Sequence, residues 1–170
     1  IAKQFHLSPD VIVSSGGGDN MMGAIGTGNV FPGVVTTSLG TSGTIYSCAD
    51  KPIIDPKGEL AAFCSSSGHW LPLVCTMNVT VSTELTRTLL GLAIEDMNQK
   101  AASAPVGSGG LTLLPYFYGE RTPSLPNAKA VLYGITGVNY NSENLCRAAM
   151  EGATLGLRYG LDVQIGRAHV

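Results

Sequence analysis

Short apolar runs broken by glycine fill the first half of the chain, and helical spacing takes over in the second. Residues 10–15 (DVIVSS) are an apolar run that stops at glycines, the pattern of a buried strand. Three glycines later Asp19 stands where a helix N-cap belongs, ahead of NMMGAIG, a short helix rich in small residues. Pro32 and Gly33 break the pattern and mark a boundary between two units. VVTTSLG and TIYSCA then read as the arms of a β-hairpin joined at residues 40–43 (GTSG). ELAAFCSS and WLPLVCTM supply two further strands, with KPIIDPKG as the exposed turn ahead of them.

From residue 78 to residue 90, Val81, Leu85 and Leu89 recur at helical spacing and predict one apolar helix face. Val79 and Thr80 are weak helix formers, so packing rather than propensity must hold this helix. IEDMNQKAASA continues as a more polar helix, and GSGG (residues 107–110) is a linker-like break. LTLLPYF reads as a strand running into the loop YGERTPS, and AKAVLYGITG as another strand. In the last helix Leu145, Ala149, Gly152, Gly156 and Tyr159 share one face, where small residues invite close packing. Glu143–Arg147, Arg147–Glu151 and Arg158–Asp162 fall at i,i+4 spacing on the other. Strands followed by helices predict an α/β fold with mixed sheets flanked by helices.

Composition narrows the class. A chain of 170 residues can hold one domain or parts of two. Only 13% of residues are charged, where about 25% is usual. The balance suggests elements covered on both faces, or surfaces meant to be covered by further chain. No apolar run reaches the length of a membrane span, and no signal peptide opens the sequence. A formal charge of -2 without a basic run argues against nucleic acid as a partner. Cys48, Cys64, Cys75 and Cys146 show no C-x-x-C spacing, so they read as reduced, mostly buried thiols of a cytoplasmic protein. His6, His69 and His169 are scattered, and no protein-only zinc site is expected. The chain opens without Met, and its last residues, IGRAHV, resemble a sequencing adapter translated in frame. Residues 164–170 are therefore set apart as a non-native tail, which removes Arg167 and His169 as site candidates.

Three stretches could carry chemistry. A strand, glycines, an acid and a helix place Asp19 at the carboxyl end of a strand, where open α/β sheets bind ligands. There it could accept the proton of a substrate hydroxyl, or it could simply cap the helix. In SLGTSGT, backbone N–H groups and the hydroxyls of Thr41, Ser42 and Thr44 could cradle phosphate oxygens, or the segment could be an ordinary hairpin turn. In GERTP, Glu120 and Arg121 read best as a structural loop with a local ion pair, and Trp70 reads as core. The glycines match neither G-x-x-x-x-G-K-[ST] nor G-x-G-x-x-G, and GTSG is not the G-x-S-x-G elbow of a serine hydrolase.

Taken together, GGGDN, SLGTSG and LPYFYGERTP resemble the FGGY family of carbohydrate kinases, and within it the xylulokinase group. A longer family pattern is matched by Ala130, Leu132, Gly134, Ile135, Asn144, Leu145, Ala148, Ala149, Met150 and Glu151. The resemblance implies part of a two-domain ribonuclease-H-like fold, as in actin and hexokinase. Residues 1–32 would end the first domain, and residues 33–163 would begin the second. It implies ATP-dependent phosphorylation of a sugar hydroxyl, D-xylulose above all, with Mg²⁺ on the nucleotide. Asp19 would be the catalytic base and Asn20 would help seat the sugar. Gly40, Thr41, Ser42 and Gly43 would face the ATP phosphates, and Asn78 would lie near the nucleotide. The family's first phosphate loop and most of its sugar contacts would precede Ile1, and its adenosine motif would follow Val163, so this segment alone is expected to be inactive. Kinases for ribulose, gluconate or glycerol, and a non-catalytic sugar sensor, remain open. So does homodimerisation of the full-length protein.

Overall fold

The structure, a computed structural model, describes residues 2–168, with side chains as far as Gly166. His169 and Val170 of the C-terminal tail lie outside the described residues, as does the Arg167 side chain. Helix α1 (Asp19–Gly26) precedes four strands, β1 (Val35–Leu39), β2 (Gly43–Ser47), β3 (Ala61–Cys64) and β4 (Trp70–Thr76). They form one sheet in the order β1-β2-β4-β3, with every pairing antiparallel. Helices α2 (Thr80–Leu89) and α3 (Ile94–Ser103) follow, then a short hairpin of β5 (Thr112–Leu114) and β6 (Val131–Tyr133), and the long α4 (Ser142–Ala168).

Alternation along the inner strands decides what covers each face of the sheet, because successive side chains point opposite ways. Tyr46 with Leu71 and Leu73 packs against Ala24 of α1, which is fully buried. Ile45, one residue earlier, packs with Val79, Ala153 and Leu157, and so brings α4 onto the opposite face. A third cluster joins α3, β5 and α4 through Met97, Ala101, Leu111, Leu113, Cys146 and Ala149. There α4 lies directly on the β5 backbone, since a Cβ at Gly152 would meet the carbonyl of Leu113. On the predicted face Ala149 is buried and Gly152 serves close approach, but a Cβ at Gly156 would meet nothing and Tyr159 is exposed.

The hairpin, the two further strands and all three later helices lie where the sequence pattern puts them. Three local expectations need correction. Residues 10–15 are not a strand: Ile12 is 91% exposed and Val13 79%. No described strand lies alongside them, so an apolar run has neither a ladder nor a cover. In α2 the predicted face of Leu85 and Leu89 is exposed, and the buried residue is Ser82, whose hydroxyl donates to the Ala149 carbonyl at 3.0 Å. A small side chain at the crossing lets α2 and α4 approach, which the apolar period alone does not reveal. On α4, Glu143 pairs with Lys100 of α3 at 2.7 Å rather than with Arg147, while Arg147–Glu151 and Arg158–Asp162 form as expected.

Asn29 fixes the end of α1 to the sheet. Its side chain is fully buried, donating to Thr36 Oγ1 (3.1 Å) and the Tyr46 carbonyl (3.0 Å) and accepting from the Cys48 N–H (3.0 Å). With Ala24 buried on the same face, α1 is held at two points. Asp19, at its other end, is thereby placed relative to β2.

Candidate active site

Gly18 holds the N-cap position of α1 and Asp19 is its first helical residue, one place later than the N-cap expected for it. The Asp19 carboxylate is exposed and accepts the Asn20 N–H at Oδ1, 2.8 Å away. Asn20 Nδ2 stands 3.4 Å from the same oxygen. Oδ2 has no hydrogen-bond partner among the described residues, so one oxygen faces outward as a free acceptor. Its charge is felt below: burial first, then the Asp19 carboxylate, raise the Tyr46 phenol above its ordinary range. A Cβ at Gly23 would stand 2.8 Å from the Tyr46 hydroxyl, so α1 rests directly on that ring.

The GTSG turn closes the β1–β2 hairpin, and Leu39 pairs with Gly43 in its last rung. The carbonyls of Gly40 and Thr41 accept the N–H groups of Thr80 and Val79, both at 3.1 Å, which clasps the turn to the start of α2. Gly43 is buried, and a Cβ there would meet Val79 and Leu157 at 2.6 and 2.7 Å. Only glycine passes that point without moving its neighbours. Thr41 and Ser42 are exposed, with hydroxyls that have no partner among the described residues. Thr44 differs from them: its hydroxyl turns to Asn20 Oδ1 at 3.0 Å and is not available to the tip of the turn.

Asn78 lies in a different environment from the other sequence-predicted residues. It is 2% exposed, donates through Nδ2 to the Gly119 carbonyl (2.7 Å) and Glu120 Oε2 (3.1 Å), and accepts from the Tyr118 N–H. Its hydrogen-bonding capacity is spent on the GERTP loop. Glu120, itself 4% exposed, also accepts the N–H groups of Met77 and Arg121, both at 2.7 Å. The expected Glu120–Arg121 ion pair is absent. The Glu120 carboxylate is caught by backbone donors that must be satisfied once buried, and the Arg121 side chain is left exposed.

Asp19, Asn20 and Thr44 share an open cleft of about 650 Å³ with Glu59 and Arg121. Glu59 carries no motif that sequence reading could have found, and Arg121 is hidden in the sequence by its acidic neighbour. A larger cavity of about 1190 Å³, between residues 32–56 and the end of α4, is lined by Cys48, Asp50 and Lys51 but by none of the sequence-predicted site residues. Chemistry rather than size singles out the smaller cleft. Among the described residues no three His, Cys, Asp or Glu side chains stand together so as to hold a metal ion. All four cysteines are free, Cys48 and Cys146 buried and Cys64 exposed.

The chain carrying this cleft is similar to known proteins along nearly its whole length. A xylulose kinase of Haemophilus influenzae is 55% identical over 163 residues, which is 96% of this chain and 33% of that protein. The chain is homologous to sugar kinases of the xylulose kinase type. It spans about one third of the length of the curated relatives it matches. A gluconokinase of Bacillus subtilis is 30% identical over 92% of the chain and 33% of its own length. The crystal structure of a xylulose kinase from Bifidobacterium adolescentis superimposes with a TM-score of 0.84 at 37% identity, over 95% of this chain and 32% of that one. No family model matches the chain. The resemblance to FGGY carbohydrate kinases read from the motifs therefore holds, and the fold is the corresponding third of their ribonuclease-H-like architecture.

Proposed function

We propose that the protein carrying this chain transfers the γ-phosphoryl group of ATP to a terminal hydroxyl of D-xylulose, giving D-xylulose 5-phosphate and ADP. The observation that carries this reading is the free Oδ2 of Asp19, held in the cleft by a helix pinned at Ala24 and Asn29. The sugar hydroxyl gives its proton to that oxygen as it attacks phosphorus, and the P–O bond to ADP breaks. Such transfers pass through a loose transition state, so positioning and charge neutralisation carry most of the catalysis. Little basicity is then asked of Asp19. Asn20 orients the sugar beside it, and the exposed N–H groups and hydroxyls of Thr41 and Ser42 take the nucleotide phosphates. Asn78 serves that turn from behind, by fixing the start of α2, rather than by contacting nucleotide.

Mg²⁺ carried with ATP would be held by phosphate oxygens and water; among the described residues no three His, Cys, Asp or Glu side chains stand together to hold it. When bound, it neutralises charge on the β- and γ-phosphates. Residues 1–32 belong, on this reading, to one domain and residues 33–163 to the next. The free thiols support a cytoplasmic setting. Because the matched kinases are about three times longer, we expect no turnover from this segment alone. The 30% identity to a gluconokinase keeps an aldonate as the second substrate class to try.

The test is sugar-dependent ADP release by the full-length protein across ketoses, polyols and aldonates. Turnover with D-xylulose supports the assignment. Turnover with gluconate alone moves the specificity and keeps the mechanism. Sugar binding with no ADP release makes a sensor of it.

A further inference from the structure

Thr44 lies on β2, across the proposed domain boundary from Asn20, and nothing in the phosphate-cradle reading explains where its hydroxyl points. Its backbone is fixed on both sides, paired with Ser38 in one ladder and Cys75 in the other. The residue before it, Gly43, is closed in by Val79 and Leu157. From this rigid position the hydroxyl meets Asn20 Oδ1 at 3.0 Å. The assignment of the amide oxygen is forced by the other neighbour. Turning the carboxamide over would set its oxygen against Asp19 Oδ1, now 3.4 Å from Nδ2, with two acceptors facing and no proton between them. Thr44 must therefore donate, and Asn20 must keep its N–H₂ on the side of Asp19.

We infer that Thr44 is a positioning residue for the sugar, locking the Asn20 carboxamide so that its N–H₂ edge, beside the Asp19 carboxylate, donates to a hydroxyl oxygen next to the one phosphorylated. The inference rests on the kinase reading of the site. It assigns Thr44 to the polyhydroxylated acceptor and not to the nucleotide, although it lies one residue from the phosphate turn. Without the Thr44 hydroxyl only the longer 3.4 Å contact to Asp19 orients the carboxamide, and a bound sugar must complete its ordering.

The experiment compares wild type, Thr44→Val, Thr44→Ser and Thr44→Ala in the full-length protein, with D-xylulose and ATP each varied. Valine keeps the shape and suits a strand; alanine serves if valine impairs folding. Losing one ordered hydrogen bond predicts a rise in sugar KM of about tenfold. The KM for ATP stays within about twofold and serine restores the sugar KM. In an Asn20→Ala background Thr44→Val adds nothing further, because its partner is gone. An unchanged sugar KM, a rise confined to ATP, failure of serine to rescue, or full additivity with Asn20→Ala each overturns the inference. Wild-type turnover in the same assay separates the two levels. With it, only the role of Thr44 is at stake; without it, the kinase reading falls and takes the inference with it.

Discussion

Two carboxylates, Glu120 in the loop between β5 and β6 and Asp19 at the start of α1, lie in regions that differ in almost every physical respect. Around Glu120 the chain closes in: the side chain is 4% exposed and accepts from Met77, Arg121 and Asn78, so that loop, strand end and helix start are tied into one knot. Around Asp19 it opens: the side chain is exposed, one oxygen accepts from its neighbour, and the other has no partner among the described residues. A buried carboxylate whose oxygens are spent can only hold structure. A carboxylate with an oxygen to spare, on a helix anchored at Ala24 and Asn29, can take a proton. The contrast separates architecture from chemistry: Asp19 lines the cleft, whereas Glu120 does not and only its neighbour Arg121 reaches it.

The contrast breaks first on stability, measured by urea unfolding of the full-length protein. Glu120→Ala removes the acceptor of the partly buried Met77 and Arg121 N–H groups and one of the two acceptors of the buried Asn78 amide, and we expect a loss of about 3 kcal/mol. A loss under about 1 kcal/mol would mean water replaces the carboxylate and the knot is not structural. Gly43→Ala comes next, at about 2 kcal/mol, because its Cβ must displace Val79 and Leu157. A neutral result would show that the hairpin can back away from α4.

The third effect is smaller and depends on pH. Burial raises the Glu151 pKa, but the Arg147 guanidinium, the Gly107 N–H and the Ser108 hydroxyl outweigh it and leave the carboxyl below its ordinary value. A lowered folded pKa means stability that is complete above the unfolded value of about 4.3 and fades as pH falls through the folded one. Glu151→Gln should flatten that part of the acid-unfolding curve, and an unaltered curve would refute it. The smallest stability change belongs to Asp19→Ala, within about 0.5 kcal/mol by urea unfolding, since nothing buried relies on its side chain. A large loss there would return Asp19 to the role of a cap.

Much of the fold is legible because period and punctuation agree. The GTSG hairpin, the close packing at Gly152 of α4 and two of that helix's three ion pairs follow from spacing that physics fixes locally. The family pattern toward the C-terminus is also explained by packing. Asn144 donates to the Asn139 carbonyl, Glu151 holds the turn at Gly107 and Ser108, and a Cβ at Gly134 would meet the Gly110 carbonyl. Those residues identify the fold without touching the cleft. What was not legible depends on tertiary partners. Residues 10–15 carry a strand's apolar pattern but have no described strand to pair with, and Ser82 outranks Leu85 because a helix crosses there. At the site, Asp19, Asn20 and the GTSG turn could be found from their motifs. The turning of Thr44 toward Asn20 and the entry of Glu59 and Arg121 into the cleft join residues far apart in the chain, and no spacing announces them.

The most direct test of the account is steady-state turnover of D-xylulose by the full-length protein with and without Asp19→Ala, alongside sugar binding by calorimetry. We expect kcat to fall at least 10²-fold, the scale of a lost general base, while the variant stays folded and still binds the sugar. A folded variant that turns over D-xylulose at the wild-type rate would contradict the role assigned to Asp19.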